Sequence, residues 1–173
     1  MSRSSILVAM TILSVVLGLA HIAYYHPQLP ETVATHFNGR GEADGFSSRN
    51  THSLLMAGIQ IGLTGMFFGI GYLIRIMPTN LINVPNREYW FSDERKEQTV
   101  IKIRDGMFIV AIGTQLFLIG INHVSTMYNL GKPMTGWFWP LIGLYLVFTI
   151  GFCIWMSIQF RVPSDHYPAT SET

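Results

Sequence analysis

The chain has little charge and almost no cysteine. Only 12% of its 173 residues are charged, whereas 49% are hydrophobic and the mean hydropathy is +0.34. Average soluble domains carry about twice that charged share, which they use to cover their surface with polar groups. The single cysteine, Cys153, excludes an internal disulfide framework and a cysteine-based zinc cluster. The net charge of +1 provides no field for nucleic acid, so we expect no nucleic-acid partner.

Motifs for catalysis are missing as well. The sequence has no Gly-x-Ser-x-Gly elbow, no P-loop, no dinucleotide fingerprint and no cysteine–histidine pair spaced for nucleophilic attack. The apolar runs lack the acidic centres typical of pumps and the arginine arrays typical of voltage sensors. The sequence therefore predicts a protein that is not an enzyme and that needs no cofactor.

Four apolar runs are long enough to cross a membrane, which takes roughly 20 residues. They are 5–25, 53–77, 106–128 and 134–160, and none contains Asp, Glu or Lys. Lipid offers no partner for backbone polar groups, so such spans must be helical. The predicted fold is an all-α transmembrane four-helix bundle forming one domain, 1–173. A signal peptide is the alternative for the first run, but apolar residues continue past Ala20 and favour a span.

Basic residues are distributed unevenly between the two sides of this bundle. With four spans, both termini and the inner connection 78–105 lie on one side, and the outer loop 26–52 lies on the other. Arg40, Arg49 and Lys132 fall on the loop side, which leaves eight of the eleven Lys and Arg on the side of the termini. The positive-inside rule then predicts cytoplasmic termini in a multi-pass protein of the cell membrane, with the bilayer as its first partner.

The outer loop has the densest pattern of turn-forming and polar residues. Its three glycines Gly39, Gly41 and Gly45 predict tight turns with positive φ. The run 33–37 predicts a short extended or helical piece packed on the bundle. We expect the ligand-binding residues to lie here, and they are Pro30, His36, Phe37, Gly41, Glu42, Asp44 and Gly45.

Histidines gather on the same side. Five of the six are predicted at the outer end of the bundle, and only His166 is predicted on the inner, cytoplasmic side. Imidazole and carboxylate are ligands that divalent metals such as zinc and copper prefer, so His36, Glu42 and Asp44 form one candidate metal site. A hydrogen bond between His36 and Asp44 that holds the loop, and a surface for a peptide or partner protein, are the alternatives.

Two sets of residues within the spans predict helix packing. The second span carries small residues on one face, namely Gly58, Gly62, Gly65 and Gly69. This face predicts close packing inside the bundle, with Gly113 and Gly120 as candidate partners, or the seam of a homodimer. The intramembrane polar residues are His21, Gln60, Gln115, Asn122 and His123. We expect them to face the interior, as interhelical hydrogen bonds or as the lining of a small outward-open cavity.

The inner connection predicts irregular chain at the membrane surface, followed by a helix. Pro78 and Pro85 interrupt helix formation, and Ser92 predicts the N-cap of a helix that runs on into the third span. The residues Asn86, Arg87, Tyr89 and Trp90 form a candidate surface for a cytoplasmic partner. A solvated, charge-laced helix entry is the alternative.

The outer block resembles the N-terminal domain of SdpI-type membrane immunity proteins and their short uncharacterised bacterial and archaeal relatives. The resemblance rests on Leu29-Pro30, Thr35-His36-Phe37, Gly41-Glu42-Ala43-Asp44-Gly45 and Ser48-Arg49, and on a juxtamembrane stretch at 84–90. It covers residues from about 5 to 77; SdpI-type proteins have six spans, and this chain has four. SdpI-type proteins sense a secreted killing peptide and sequester a repressor at the membrane. The resemblance implies an immunity- or receptor-like module that binds or senses through the 26–52 loop; an accessory subunit of a larger membrane complex and an outward-facing metal site are the alternatives.

Overall fold

A computed structural model describes residues 1–132 and 135–163 of the chain. The start predicted for the fourth span, residue 134, and the predicted inner histidine, His166, lie outside the described residues.

Four long helices form the body of the structure. They are α1 (Arg3–Tyr25), α2 (Arg49–Ile76), α4 (Lys96–Asn129) and α5 (Phe138–Gln159), and a single turn, α3 (Arg87–Trp90), lies in the connection before α4. All four are long and apolar enough to cross a membrane. The predicted four-helix membrane bundle is therefore confirmed. We call its two ends the terminal end, which carries Arg3 and Gln159, and the hairpin end.

The hairpin end takes its name from two short strands in the predicted outer loop. Strand β1 (Thr32–Phe37) pairs with β2 (Ala43–Ser48) in an antiparallel sheet, in a register that joins Thr32 to Ser48. The register shifts twice between Ala34 and Phe37. Residues 33–37 are extended, which is one of the two predicted alternatives. The predicted all-α fold did not include a β-hairpin in the outer loop.

Helix α4 is the long rod that the sequence predicted, but Ser92 does not cap it. The helix begins at Lys96, and the carbonyl oxygen of Ser92 accepts hydrogen bonds from the N–H groups of Arg95 and Lys96, both at 3.0 Å. The Ser92 hydroxyl accepts from the Arg95 guanidinium at 3.2 Å instead of from a backbone N–H. Ser92 therefore closes a turn that precedes the helix.

Helix α4 is the centre of the bundle. It packs against α1, α2 and α5, and α1 also contacts α2, whereas α5 packs mainly against α4. Glycines on α4 allow α5 to come close: a Cβ added at Gly113 would lie 2.2 Å from the Phe148 ring, and one at Gly120 would lie 3.3 Å from Leu141. Gly113 and Gly120 therefore serve the α4–α5 contact, and their predicted pairing with the α2 glycines is wrong.

The glycine face of α2 points away from the bundle. A Cβ added at Gly58, Gly62, Gly65 or Gly69 would meet no described atom within 4 Å. The prediction that this face packs inside the chain's own bundle is therefore wrong. The reason lies on the opposite face of α2, where Gln60 and His52 carry polar groups that lipid penalises and so take the interior position.

Polar side chains fill much of the interior, as the sequence predicted. Nε2 of Gln115 donates to the carbonyl oxygen of Gln60 at 2.9 Å and to the Thr64 hydroxyl at 2.7 Å. The Gln60 amide lies against Gly18, where an added Cβ would sit 1.8 Å from its Oε1. These contacts join α1, α2 and α4 near the middle of the spans. Between helices in lipid, association is driven by close backbone packing and hydrogen bonds and not by the hydrophobic effect.

Candidate functional site

Asn129 on α4 holds the edge of strand β1. Oδ1 of Asn129 accepts from the N–H of Ala34 at 2.7 Å, and its Nδ2 donates to the carbonyl oxygen of Ala34 at 3.0 Å. The side chain thus satisfies both backbone groups of a residue on the free edge of β1, as a third strand would. Val33 and Ala34 are 0% and 2% exposed. One face of the hairpin is therefore part of the core.

Aromatic contacts and an arginine complete the attachment. Phe37 lies between the rings of Tyr128 and Phe138, with centroid distances of 4.9 and 4.7 Å. The Arg49 guanidinium donates to the carbonyl oxygen of Leu29 at 3.1 Å, which closes the base of the hairpin. Pro30, predicted as a binding residue, is an exposed part of this base.

The turn of the hairpin is organised by Asn38. Its Oδ1 accepts from the N–H groups of Arg40 and Glu42 at 2.9 and 3.1 Å, and its Nδ2 donates to the Glu42 carboxylate at 2.8 Å. Gly41 has a φ of 78°, as predicted, because the left-handed conformation of this turn favours glycine. Within the described residues, Gly39 and Gly45 do not adopt positive φ, so for these two the prediction is wrong.

Gly45 is required for a different reason, the approach of His36. A Cβ added at Gly45 would lie 2.8 Å from the Cβ of His36, its partner in the irregular stretch of the sheet. Nδ1 of His36 hydrogen-bonds Oδ1 of Asp44 on the same surface. The predicted loop-holding contact between His36 and Asp44 is therefore present, and the Gly-x-x-Asp-Gly segment places that pair in solvent.

The three predicted metal ligands do not converge. The Glu42 carboxylate is turned toward Asn38 and lies 3.6 Å from Nε of Arg40. Across the part of the chain that the structure describes, no group of three or more His, Cys, Asp or Glu side chains is placed to hold a metal ion. The hypothesis of a site formed by His36, Glu42 and Asp44 is wrong because the Asn38 turn draws Glu42 away from the pair.

The outward surface of the hairpin combines an ion pair with an exposed aromatic ring. The side chains of His36 and Asp44 are 72% and 46% exposed. Phe46, two residues after Asp44 on the same strand, is 62% exposed. Exposed rings beside polar groups of this kind are enriched at binding surfaces. We refer to His36, Asp44 and Phe46 as the hairpin face.

The comparisons with known proteins address this region of the chain. The family model DUF1648, a domain of unknown function, matches residues 7–61. No curated protein and no solved structure matches the chain. The DUF1648 match spans most of α1, the whole hairpin and the first turns of α2, so the candidate site lies within the matched region.

Below the hairpin, His21 from the matched region and His123 from α4 belong to a half-buried polar cluster. Nδ2 of Asn122 donates to Nδ1 of His21 at 3.3 Å, and Nε2 of His21 lies 3.0 Å from Nδ1 of His123. His21 therefore accepts at Nδ1 and donates at Nε2, which ties α1 to α4. His52 and Asn122 also line a cavity of about 10 Å³, the room of one water molecule. The cluster forms interhelical hydrogen bonds, and of the residues predicted to line an outward-open cavity only Asn122 borders this small one.

The predicted inner surface is largely engaged within the chain. Nδ2 of Asn86 and Nε1 of Trp90 both donate to the carbonyl oxygen of Phe160 at 2.9 Å. Asn86 adopts the left-handed conformation with a φ of 54°. Two of the four residues therefore fasten the end of α5.

The remaining two residues of that surface make local contacts. The Arg87 guanidinium donates to the carbonyl oxygen of Asn80 at 3.1 Å. The Arg95 guanidinium lies over the ring of Tyr89, 4.2 Å from its centroid. The inner segment is thus a folded platform against the ends of α4 and α5.

Sequence reasoning missed three residues that position these sites. Asn38 is followed by glycine-rich chain, which is the typical pattern of an Asx turn and was a usable signal. Asn129 directly follows the predicted third span, and its partner Ala34 is 95 residues away. Asp105, just outside the predicted third span, is 5% exposed and accepts from the Ser4 hydroxyl at 2.7 Å. Neither of these long-range pairings has a local sequence pattern.

Proposed function

We propose that the protein is a membrane-embedded binding module that senses a ligand through the hairpin face. The observation that supports this is the division of one small hairpin into two surfaces. Val33 and Ala34 are buried against α4, whereas His36 and Phe46 are held in solvent on the other side. A segment that only connected α1 to α2 would require neither the Asn129 attachment nor the exposed His36–Asp44 pair.

The chemistry of the hairpin face suits a peptide or a protein surface. An exposed phenyl ring offers an apolar contact, and the neighbouring imidazole and carboxylate offer directed hydrogen bonds. The resemblance to SdpI-type proteins favours a secreted peptide as the ligand, in an immunity- or receptor-like role. The DUF1648 match is neutral on this point, since it describes a domain of unknown function.

Helix α4 supplies a physical route from the hairpin to the terminal end. Its 34 residues extend about 50 Å, from Asn129 under the hairpin to the inner platform. There the Thr99 hydroxyl donates to the carbonyl oxygen of Trp90 at 2.7 Å, and Nζ of Lys102 lies 4.2 Å from the centre of the Trp90 ring. A ligand that shifts the hairpin therefore acts on the same rigid element that contacts the platform.

Quantitative co-purification from native membranes tests the proposal. We expect a peptide or protein to remain bound to the wild-type chain and to the turn variant Arg40→Ala. The double variant His36→Ala/Asp44→Ala should retain it at least about 30-fold less well, since truncation of an interface anchor costs about 2 kcal/mol or more. An identical set of bound molecules in wild type and double variant would contradict the proposal.

The proposal also requires the hairpin to face outward, with cytoplasmic termini. In a Cys153→Ser background, a cysteine introduced at Phe46 should react with a membrane-impermeant maleimide on intact cells. A cysteine introduced at Leu81, which is 65% exposed at the other end of the bundle, should react only after permeabilisation. The reverse labelling pattern would contradict the orientation.

A second candidate function is that of an accessory subunit in a larger membrane complex. It is favoured by the open glycine face of α2, where another helix backbone can approach closely. Gly62→Leu should release a partner, or a second copy of the chain, during purification in mild detergent. Gly143→Leu is the matched control, because an added Cβ at Gly143 on α5 likewise meets no described atom within 4 Å. A wild-type protein that purifies as a clean monomer would argue against this candidate.

A further inference from the structure

A cleft between α1 and α5, with α4 as its floor, is left open because α5 packs mainly against α4. Its central part has a volume of about 500 Å³. The lining is apolar and comes from all three helices, with Leu7, Met10, Ile112, Leu116, Leu144 and Phe148 among its residues. In a bilayer this part of the cleft lies among the acyl chains.

The cleft continues toward the terminal end, where its lining becomes basic. This second part has a volume of about 540 Å³ and includes Arg3, Lys102, Arg104, Asp105 and Trp155. Its residues directly follow those of the apolar part along the same helices: on α1, Arg3 lies one turn before Leu7. The two parts therefore lie in succession along the same three helices, the apolar part toward the hairpin end and the basic part at the terminal end.

The basic end has more positive charge than its one carboxylate can balance. Asp105 lies 3.5 Å from Nη2 of Arg104 and 4.0 Å from Nε of Arg3. Lys102 makes no ion pair among the described residues; its Nζ donates to the Gln159 carbonyl oxygen at 3.4 Å. Nε of Arg104 is buried without a hydrogen-bond partner in the described part of the chain. Three basic side chains therefore line this end of the cleft with one carboxylate, Lys102 also lies over the Trp90 ring, and Nε of Arg104 keeps an unused donor.

We propose that this cleft binds one anionic phospholipid. The phosphate lies against Arg3, Lys102 and Arg104, and an acyl chain occupies the apolar part. Basic pockets between transmembrane helices at the cytoplasmic side are recognised sites for anionic headgroups. Trp155, at the basic end, is a residue type enriched at the membrane interface.

The dimensions of the cleft agree with such a ligand. From Asp105 to Phe117, α4 rises about 18 Å at 1.5 Å per residue. One leaflet of a hydrocarbon core is about 15 Å thick. A chain that starts at the basic end therefore fits along the apolar part without crossing the bilayer centre by more than a few ångströms. A zwitterionic lipid fits the same space but carries its own cation, which the three basic side chains repel.

Native mass spectrometry of the full-length protein tests the proposal, using phosphatidylglycerol and phosphatidylcholine in equal amounts. We expect the wild type to retain phosphatidylglycerol with about tenfold preference, because basic side chains attract a headgroup with net negative charge more strongly than a zwitterionic one. Arg3→Gln/Lys102→Gln should lose the preference, whereas Lys132→Gln, at the hairpin end, should keep it. Arg3→Gln alone, which alters a side chain that is 68% exposed, should reduce the preference without affecting folding.

A second pair of variants tests the acyl-chain part. Leu144 and Val147 are both on α5 and are 68% and 70% exposed, but only Leu144 lines the cleft. Leu144→Trp should reduce retention of phosphatidylglycerol severalfold, and Val147→Trp should leave it unchanged. Equal retention of the two lipids by the wild type, or equal losses in the site and control variants, would overturn the proposal. If soluble glycerol phosphate displaced the lipid, the basic side chains would form a site for a free phosphate. That result would also overturn the proposal.

Discussion

Replacing Asn129 by alanine should detach the hairpin from the bundle while leaving the helices in place. The side chain makes two hydrogen bonds with the backbone of Ala34, at 2.7 and 3.0 Å, in a region where Ala34 is 2% exposed. Alanine would leave the Ala34 N–H without a partner, at about 1–3 kcal/mol, and would leave its carbonyl oxygen with only the weaker bond from the Ser125 hydroxyl at 3.5 Å. The free energy that holds β1 against α4 should therefore fall by about 2–4 kcal/mol, since part of the loss is recovered by water.

Hydrogen exchange read out by mass spectrometry measures this change directly. The amides of Val33 and Ala34, which are 0% and 2% exposed, report opening of the hairpin, because solvent reaches them only when β1 separates from α4. A fall of about 2–4 kcal/mol corresponds to exchange faster by roughly 30-fold to several hundred-fold. Lys132→Ala, at the exposed turn that follows α4, is the control and should exchange like the wild type. Unchanged exchange of residues 32–37 in Asn129→Ala would refute the reasoning, since the hairpin would then be held by other contacts.

Two further substitutions test the hairpin and the inner platform. Gly45→Ala should lower the free energy of unfolding by about 1–3 kcal/mol, because its Cβ would lie 2.8 Å from the Cβ of His36. Gly39→Ala, where an added Cβ meets no described atom within 4 Å, should be neutral in the same mixed-micelle unfolding titration, and equal effects would contradict this account. Trp90→Phe should cost about 1 kcal/mol in that titration, since the Phe160 carbonyl oxygen keeps a second donor. A loss of more than about 3 kcal/mol would show that the platform depends on Trp90 for more than this bond.

The spans were predictable because a bilayer imposes length and apolarity on each helix in isolation. The same physics leaves the packing of each face undetermined. An apolar or small-residue face has a similar free energy against lipid and against another helix. The sequence therefore did not predict that Gly58 and Gly62 face outward. The positions of polar residues were easier to predict. Gln60 and Gln115 would lose hydrogen bonds in lipid, so the interior is the favourable position for their side chains, and both are buried.

The hairpin was only partly predictable. The positive φ of Gly41 follows from local turn chemistry, which the sequence contains. The role of Gly45 depends on the position of His36 across the sheet, and the docking of β1 depends on Asn129 in a helix far along the chain. The metal hypothesis rested on residue types that do bind metals. It failed because the sequence did not show that the turn at Asn38 directs the Glu42 carboxylate away from His36 and Asp44. Local sequence patterns were therefore sufficient to predict the turn. The arrangement of the candidate site depends on tertiary contacts, which those patterns do not contain.

Photo-crosslinking from position 46 in living cells tests most directly the claim that the hairpin face binds a ligand. A photoreactive amino acid replaces Phe46, which is 62% exposed beside the His36–Asp44 pair, and a second variant carries it at Leu81 as a control. We expect a discrete adduct from position 46 that is absent from the control and is lost when His36→Ala is added. An adduct pattern that is the same at both positions, or that persists with His36→Ala, would contradict it.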